Sequence, residues 1–197
     1  MSAALDPRET PRARAKADRR RALLDAAARL FAERGFDRVS MEDLGSAAGV
    51  SGPAVYRHFA GKQSVLAALL TDVSQELFDG GARVISEVED APATLRALIT
   101  FHVAFALANA DVIRVQDRDL ERLDFPEQHR VRSLQRSYIG LWVGVLARLD
   151  PDADADAASL HVKAHATFGL INSTPHSGHS ATTGEILEAM AWAGLRA

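Results

Sequence analysis

Residues 39–62 read VSMEDLGSAAGVSGPAVYRHFAGK. Two short helical runs meet here at Ala48-Gly49-Val50-Ser51. Ser40, with Asp43 three residues on, has the arrangement of a capping box and starts the first run. Gly49 supplies the positive φ that a sharp helix-turn-helix corner needs. Ser51 stands where a cap belongs, and Pro53 falls in the next first turn, where no backbone N–H is missed. Val39, Leu44, Ala47, Val50, Val55 and Phe59 are spaced to face inward onto a preceding helix. Ala47 and Ala48 are small enough to let two helices close on each other. Gly52, Pro53, Ala54, Arg57 and His58 are left facing outward, with Tyr56 beside them.

Outside this stretch the chain is helical throughout. No segment alternates apolar and polar residues with β-branched enrichment between turn signals. The periodicity predicts about nine helices and an all-α fold. They fall near 12–34, 41–48, 52–58, 62–79, 92–108, 110–121, 125–149, 154–173 and 183–196. The first carries Leu23, Ala27, Leu30 and Phe31 on one stripe and ends at Gly35. Gly80-Gly81 is placed to end or kink the fourth. Residues 1–11, with Pro7 and Pro11, read as a mobile basic arm, and 174–181 as a loop. The expected organisation is this arm, a three-helix helix-turn-helix domain at 12–62 and a larger helical domain at 63–197.

Composition narrows the function. The 197 residues include no cysteine, so a disulfide framework, a thiol nucleophile and a cysteine metal site are excluded. No apolar run approaches the roughly 18 residues that span a bilayer, and the N-terminus lacks a signal-peptide core. A cytoplasmic protein with no membrane partner is expected. The net charge of -3 hides a split. Residues 1–62 hold 12 Lys/Arg against 8 Asp/Glu, whereas residues 63–197 hold 11 against 18. Such asymmetry suggests that the basic end meets a polyanion.

Small residues at the start of the second short helix let it sit deep in a major groove. The Ser40 and Ser51 hydroxyls suit phosphate oxygens, as does Lys62 at the start of the next helix. Arg19 and Arg21 are candidates for phosphate contact too. His161 and His165, four apart on a helix, have a spacing that can hold zinc, and His176 and His179 follow. No Glu follows His161, so the metalloprotease helix motif is missing. Neither a P-loop, nor a dinucleotide fingerprint, nor a nucleophile elbow is present. No enzyme, cofactor or metal is expected. A helical small-molecule- or metal-binding protein with a vestigial helix-turn-helix is the competing reading.

Residues 20–66 closely resemble the DNA-binding domain of the tetracycline-repressor (TetR) family of transcriptional regulators. The resemblance rests on Ala26-Ala27, Leu30-Phe31, Gly35-Phe36, Val39-Ser40, Asp43-Leu44, Ala47–Ser51, Val55-Tyr56, His58-Phe59 and Lys62. It implies that Ser40, Ser51, Gly52, Pro53, Ala54, Tyr56, Arg57, His58 and Lys62 lie at or near a palindromic double-stranded operator. Gly52, Pro53 and Ala54 offer few hydrogen-bonding side chains, which puts more of base readout on Arg57. A homodimer is expected through the long helices. Their apolar stripes supply Leu134, Tyr138, Leu141 and Val145 on one, and Leu160, Ala164 and Ile171 on the other. The resemblance also implies a cavity for a small, largely apolar effector, with Phe101, His102, Phe105, Arg114, Trp142 and Phe168 as candidate lining. FGLINSTP at 168–175 is similar to members linked to acyl-CoA or lipid metabolism. The expected activity is that of a ligand-responsive regulator, a repressor released by its effector.

Overall fold

Helix α1 (Pro11–Arg34) starts in a computed structural model that describes residues 10–149, 156–176 and 182–196. Pro11 occupies its first turn, and the Thr10 hydroxyl accepts the Ala13 N–H at 3.2 Å. Thr10 and Pro11 therefore open a helix and do not form part of an arm; residues 1–9 of the expected arm lie outside the described residues. Leu23, Ala27, Leu30 and Phe31 are buried along one face. The helix stops at Gly35, whose φ of 86° is open to glycine.

A 3-10 turn (Phe36–Arg38) leads to α2 (Met41–Ala47). The capping box forms: the Asp43 N–H donates to Ser40 Oγ at 3.1 Å, and the Ser40 N–H donates back to Asp43 Oδ2 at 2.8 Å. The corner at Gly49 has φ 68°, as the spacing requires, and α3 follows as a single turn (Gly52–Val55). Val39, Leu44, Val55 and Phe59 are buried as expected. Ala47 is exposed and Val50 half-buried, which corrects the inward set. The close approach is made by Gly45 instead. A Cβ there would stand 3.0 Å from both the Val50 carbonyl oxygen and Val55 Cγ2.

Helix α4 (Lys62–Glu87) runs on well past the expected end. The chain divides into two compact units between Leu69 and Leu70, so this helix belongs to both. Gly80 and Gly81 do not end it. The Phe101 ring lies where a Gly80 Cβ would go, and Tyr138 Cε2 would be 2.5 Å from a Gly81 Cβ. The glycines let two aromatic rings press on the helix backbone.

The second unit continues with α5 (Ala91–Ala108), α6 (Ala110–Asp119), a 3-10 turn (Leu120–Arg122) and α7 (Phe125–Leu149). It ends with α8 (Ala157–Ile171), a 3-10 turn (Thr174–His176) and α9 (Thr183–Leu195). Among the described residues this makes nine α-helices and no strand. Helix α5 packs on α7 and α9, and α8 packs on α7 and α9. Helix α5 is, against expectation, long and apolar enough to cross a membrane by length and composition. Its Leu95, Leu98, Ile99, Val103 and Ala106 are buried in the unit's own core.

That core also corrects the expected dimer face. Tyr138, Val145, Ala164 and Ile171 are buried among α5, α7, α8 and α9 of the same chain, beyond the reach of a second copy. Leu134, Leu141 and Leu160 are half-buried. An apolar stripe records that a face is covered, not by what, and here the chain covers it itself.

Candidate nucleic-acid interface and ligand cavity

The first unit carries a cationic cleft of about 880 Å³ between the start of α1 and α3. Arg12, Lys16 and Arg19 line it from α1 at spacings of four and three, one helical face. Thr10, Ser51, Arg57 and His58 line it too, and among the described residues no acidic side chain does. Arg21, two residues beyond Arg19, is exposed and absent from the cleft. Arg12 and Lys16 were missed from the sequence, although their spacing from Arg19 was the available signal. His58 is held below the usual histidine range, first by partial burial and then by Lys16, Arg57, Arg19 and Arg20.

The outward residues of the helix-turn-helix separate by what they are free to do. Tyr56 is 53% exposed, Arg57 and Pro53 are exposed, and Gly52 is half-buried. Ala54 is buried, which corrects it from the outward set, and it lines the floor of the cleft. Ser40 Oγ already donates to Asp43 Oδ2 at 2.7 Å, so its proton is not free for a phosphate. The same bonds, with Arg34 nearby, hold the Asp43 carboxyl below its ordinary range. Ser51 makes no capping bond and keeps its hydroxyl exposed. Lys62 Nζ donates to the Asp37 carbonyl at 3.3 Å and sits 4.5 Å above the Phe36 ring. These contacts seat the Lys62 ammonium against the unit's own surface.

The second unit holds a cavity of about 360 Å³. Three candidates, His102, Phe105 and Phe168, line it. Three do not. Phe101 is turned against Gly80. Trp142 is fully buried behind Phe168 and His102, with ring centres 5.1 Å and 5.8 Å away. Arg114 donates to the Pro175 carbonyl at 2.8 Å and pairs with Asp111. The lining missed from the sequence includes Val73, Ser74 and Leu77 of α4, Gln116, Gln135, Tyr138 and Asn172. Only the FGLINSTP segment pointed near Asn172.

A hydrogen-bonded chain crosses the cavity wall. His102 is buried, and burial drives its imidazole down to about 4, with the Asn172 bond opposing. The ring is thus neutral and carries one proton. Asn172 Oδ1 lies 3.2 Å from Nε2, so Nε2–H donates and Nδ1 must accept. Its partner, 3.3 Å away, is the Tyr138 hydroxyl, which burial keeps protonated by pushing its pKa up. Asn172 is held in turn by its N–H to the Phe168 carbonyl at 2.8 Å. The Thr174 hydroxyl donates to the Ala106 carbonyl at 3.3 Å just beyond.

Among the described residues no three His, Cys, Asp or Glu side chains are grouped to hold a metal. His161 turns to the Ala157 carbonyl at 2.8 Å, His165 lines the cavity, and His179 lies outside the described residues.

The first unit is thus a helix-turn-helix and the second a helical unit with a cavity of its own. Residues 23–69 match the description "Bacterial regulatory proteins, tetR family", and residues 88–176 match "Tetracyclin repressor-like, C-terminal domain". The chain belongs to the TetR family of bacterial regulatory proteins. It is 33% identical over 132 residues to the HTH-type transcriptional repressor KstR2 of Rhodococcus jostii, a match spanning 66% of this chain and 65% of that one, just under two thirds. The solved structure of the ketosteroid transcriptional regulator KstR2 of Mycobacterium tuberculosis superposes with a TM-score of 0.76 at 21% identity, over 90% of this chain and 93% of that one. The structure of AibR in complex with isovaleryl coenzyme A and operator DNA does so with a TM-score of 0.73 at 18% identity, over 88% and 96%. At these identities the solved structures speak for the fold.

Proposed function

We propose that the protein is a homodimeric transcriptional repressor that holds a palindromic operator and releases it on binding a small, largely apolar effector. The observation that carries this reading is α4. Its first turns, from Lys62, belong to the helix-turn-helix unit, while Val73, Ser74 and Leu77 line the cavity of the second unit. A ligand that displaces these side chains acts on a helix continuous with the DNA-reading unit. The isovaleryl coenzyme A of AibR and the ketosteroid link of KstR2 support an acyl-CoA or lipid-like effector. Arg12, Lys16, Arg19 and Ser51 take the phosphates, and Tyr56, Arg57 and His58 with Gly52 and Pro53 face the bases. One reading helix covers too few base pairs for useful specificity, so two copies, about 34–36 Å apart, are required. The work is that of a cytoplasmic regulator and involves no catalysis.

The test is fluorescence anisotropy with duplex DNA from upstream of the protein's own coding sequence. Binding is expected to be sequence-selective and to weaken steeply with salt, and Lys16→Ala to reduce the salt slope by about 1. An effector that weakens binding ~100-fold needs about 2.7 kcal/mol of differential affinity for the released form. Equal affinity for unrelated duplexes at every salt concentration sinks the reading.

A further inference from the structure

We infer that the cavity of the second unit takes an uncharged, largely hydrocarbon group, either a free compound or the acyl part of a thioester, by its carbonyl oxygen, received by the Asn172 amide N–H at the end of the Tyr138–His102–Asn172 chain. The inference deepens the effector reading above and rests on it. Its first support is charge: among the described residues no Asp, Glu, Lys or Arg lines the cavity. A carboxylate or ammonium buried there would lose its hydration without gaining a counter-ion. Its second support is direction. The Tyr138 proton goes to His102 Nδ1 and the Nε2 proton to Asn172 Oδ1. Ser74, the wall's hydroxyl on α4, donates to the Leu70 carbonyl at 2.7 Å. These donors are taken, and Asn172 Nδ2, which makes no bond within the described residues, is the donor that the Tyr138–His102–Asn172 chain leaves for a ligand, beside the Gln116, Gln135 and His165 side chains that also line the cavity. A donor at an apolar wall calls for an acceptor with no proton of its own to satisfy, which a ketone, ester or thioester carbonyl provides and an alcohol does not. Its third support is rigidity. The Phe168 carbonyl accepts the Asn172 N–H, and bonds to Ala106 and Arg114 fasten Thr174 and Pro175 to α5 and α6. The amide is thus oriented before a ligand arrives.

Isothermal titration of the full chain with four probes that share a nine-carbon chain tests this: 2-nonanone, 2-nonanol, nonanoate and the nonanoyl thioester of N-acetylcysteamine. At least one of the two carbonyl probes is expected to bind tenfold or more tightly than the alcohol and the carboxylate. The ketone binding alongside the thioester assigns a free neutral carbonyl compound, and the thioester alone an activated acyl group. Asn172→Asp keeps an oxygen on His102 but removes the N–H donors, and is expected to erase the tenfold preference. Measuring the preference, not only the affinity, separates a lost donor from a disturbed fold. Binding of none of the probes, nonanoate equal to or better than the carbonyl probes, or an unchanged preference in Asn172→Asp overturns the inference. Nonanoate releasing operator DNA would overturn it and leave the proposed function standing. A carbonyl probe that binds without affecting operator affinity would do the reverse.

Discussion

His102 shows how one buried side chain ties stability to pH. Its imidazole is neutral in the folded protein because burial drives it from 6.5 down to about 4. An unfolded chain protonates the same ring near pH 6.5, so the unfolded state binds the extra proton as acid is added. The contribution is intact above about pH 6.5 and is lost as pH falls toward 4. Between pH 7.5 and pH 5 the loss is about 2 kcal/mol by linkage. Urea unfolding of the native protein and of His102→Gln at both pH values checks this. The gap between the two proteins is expected to narrow by about that amount at pH 5, and a pH-independent gap would show that the ring is protonated in place. Nothing at positions 101–105 of the sequence distinguishes this histidine from a surface one. Its neutrality depends on Tyr138, Trp142 and Phe168, which reach it from α7 and α8.

At the scale of elements, α4 is the informative helix. Gly80-Gly81 reads in isolation as a break, because glycine lowers helix propensity by about 1 kcal/mol. The helix persists since Phe101 and Tyr138 fill the space that side chains would occupy. Gly81→Ala is therefore expected to destabilise the protein by about 1–3 kcal/mol through overpacking against Tyr138, although alanine is the better helix former. Thermal unfolding gives the sign directly; a stabilised variant would mean that the ring moves aside freely. Because Tyr138 is also the first donor of the hydrogen-bonded chain, the same substitution is expected to change ligand affinity. Helix α2 is the opposite case. Its start was legible from Ser40 and Asp43 alone, since a capping box is local chemistry three residues wide.

At the scale of the whole molecule, the described residues leave three large apolar side chains exposed on the last two helices. Val162 of α8 is 67% exposed, and Ile186 and Met190 of α9 are 54% and 51% exposed. Helices α8 and α9 pack against each other, and the proposed dimer, formed by docking α8 and α9 of two copies in a four-helix arrangement, would give these side chains cover. Val162→Asp combined with Met190→Glu is expected to shift the protein from dimer to monomer in analytical ultracentrifugation and to weaken operator binding at least tenfold. Unchanged sedimentation would place the dimer face elsewhere. The net charge of -3 takes its meaning at this scale as well. The basic excess of residues 1–62 gathers in a cleft that no acidic side chain lines among the described residues, and the acidic remainder makes the second unit a poor neighbour for phosphates.

The sequence by itself determined the all-α class, the helix-turn-helix corner at Gly49, the capping box of α2 and the separation of a basic head from an acidic body. Each is carried by residues within a few positions of one another, or by sums over a segment, which folding does not alter. Only the tertiary structure decided which apolar stripes face which partner. Tyr138, Val145, Ala164 and Ile171 carry the same periodicity whether a second copy or their own chain buries them, and the chain buries them. It also decided that Arg114 and Trp142 stand outside the cavity while Asn172 stands at its wall. Those placements depend on contacts between residues about 40 to 70 positions apart, such as His102 with Tyr138 and with Asn172, and no local pattern encodes them.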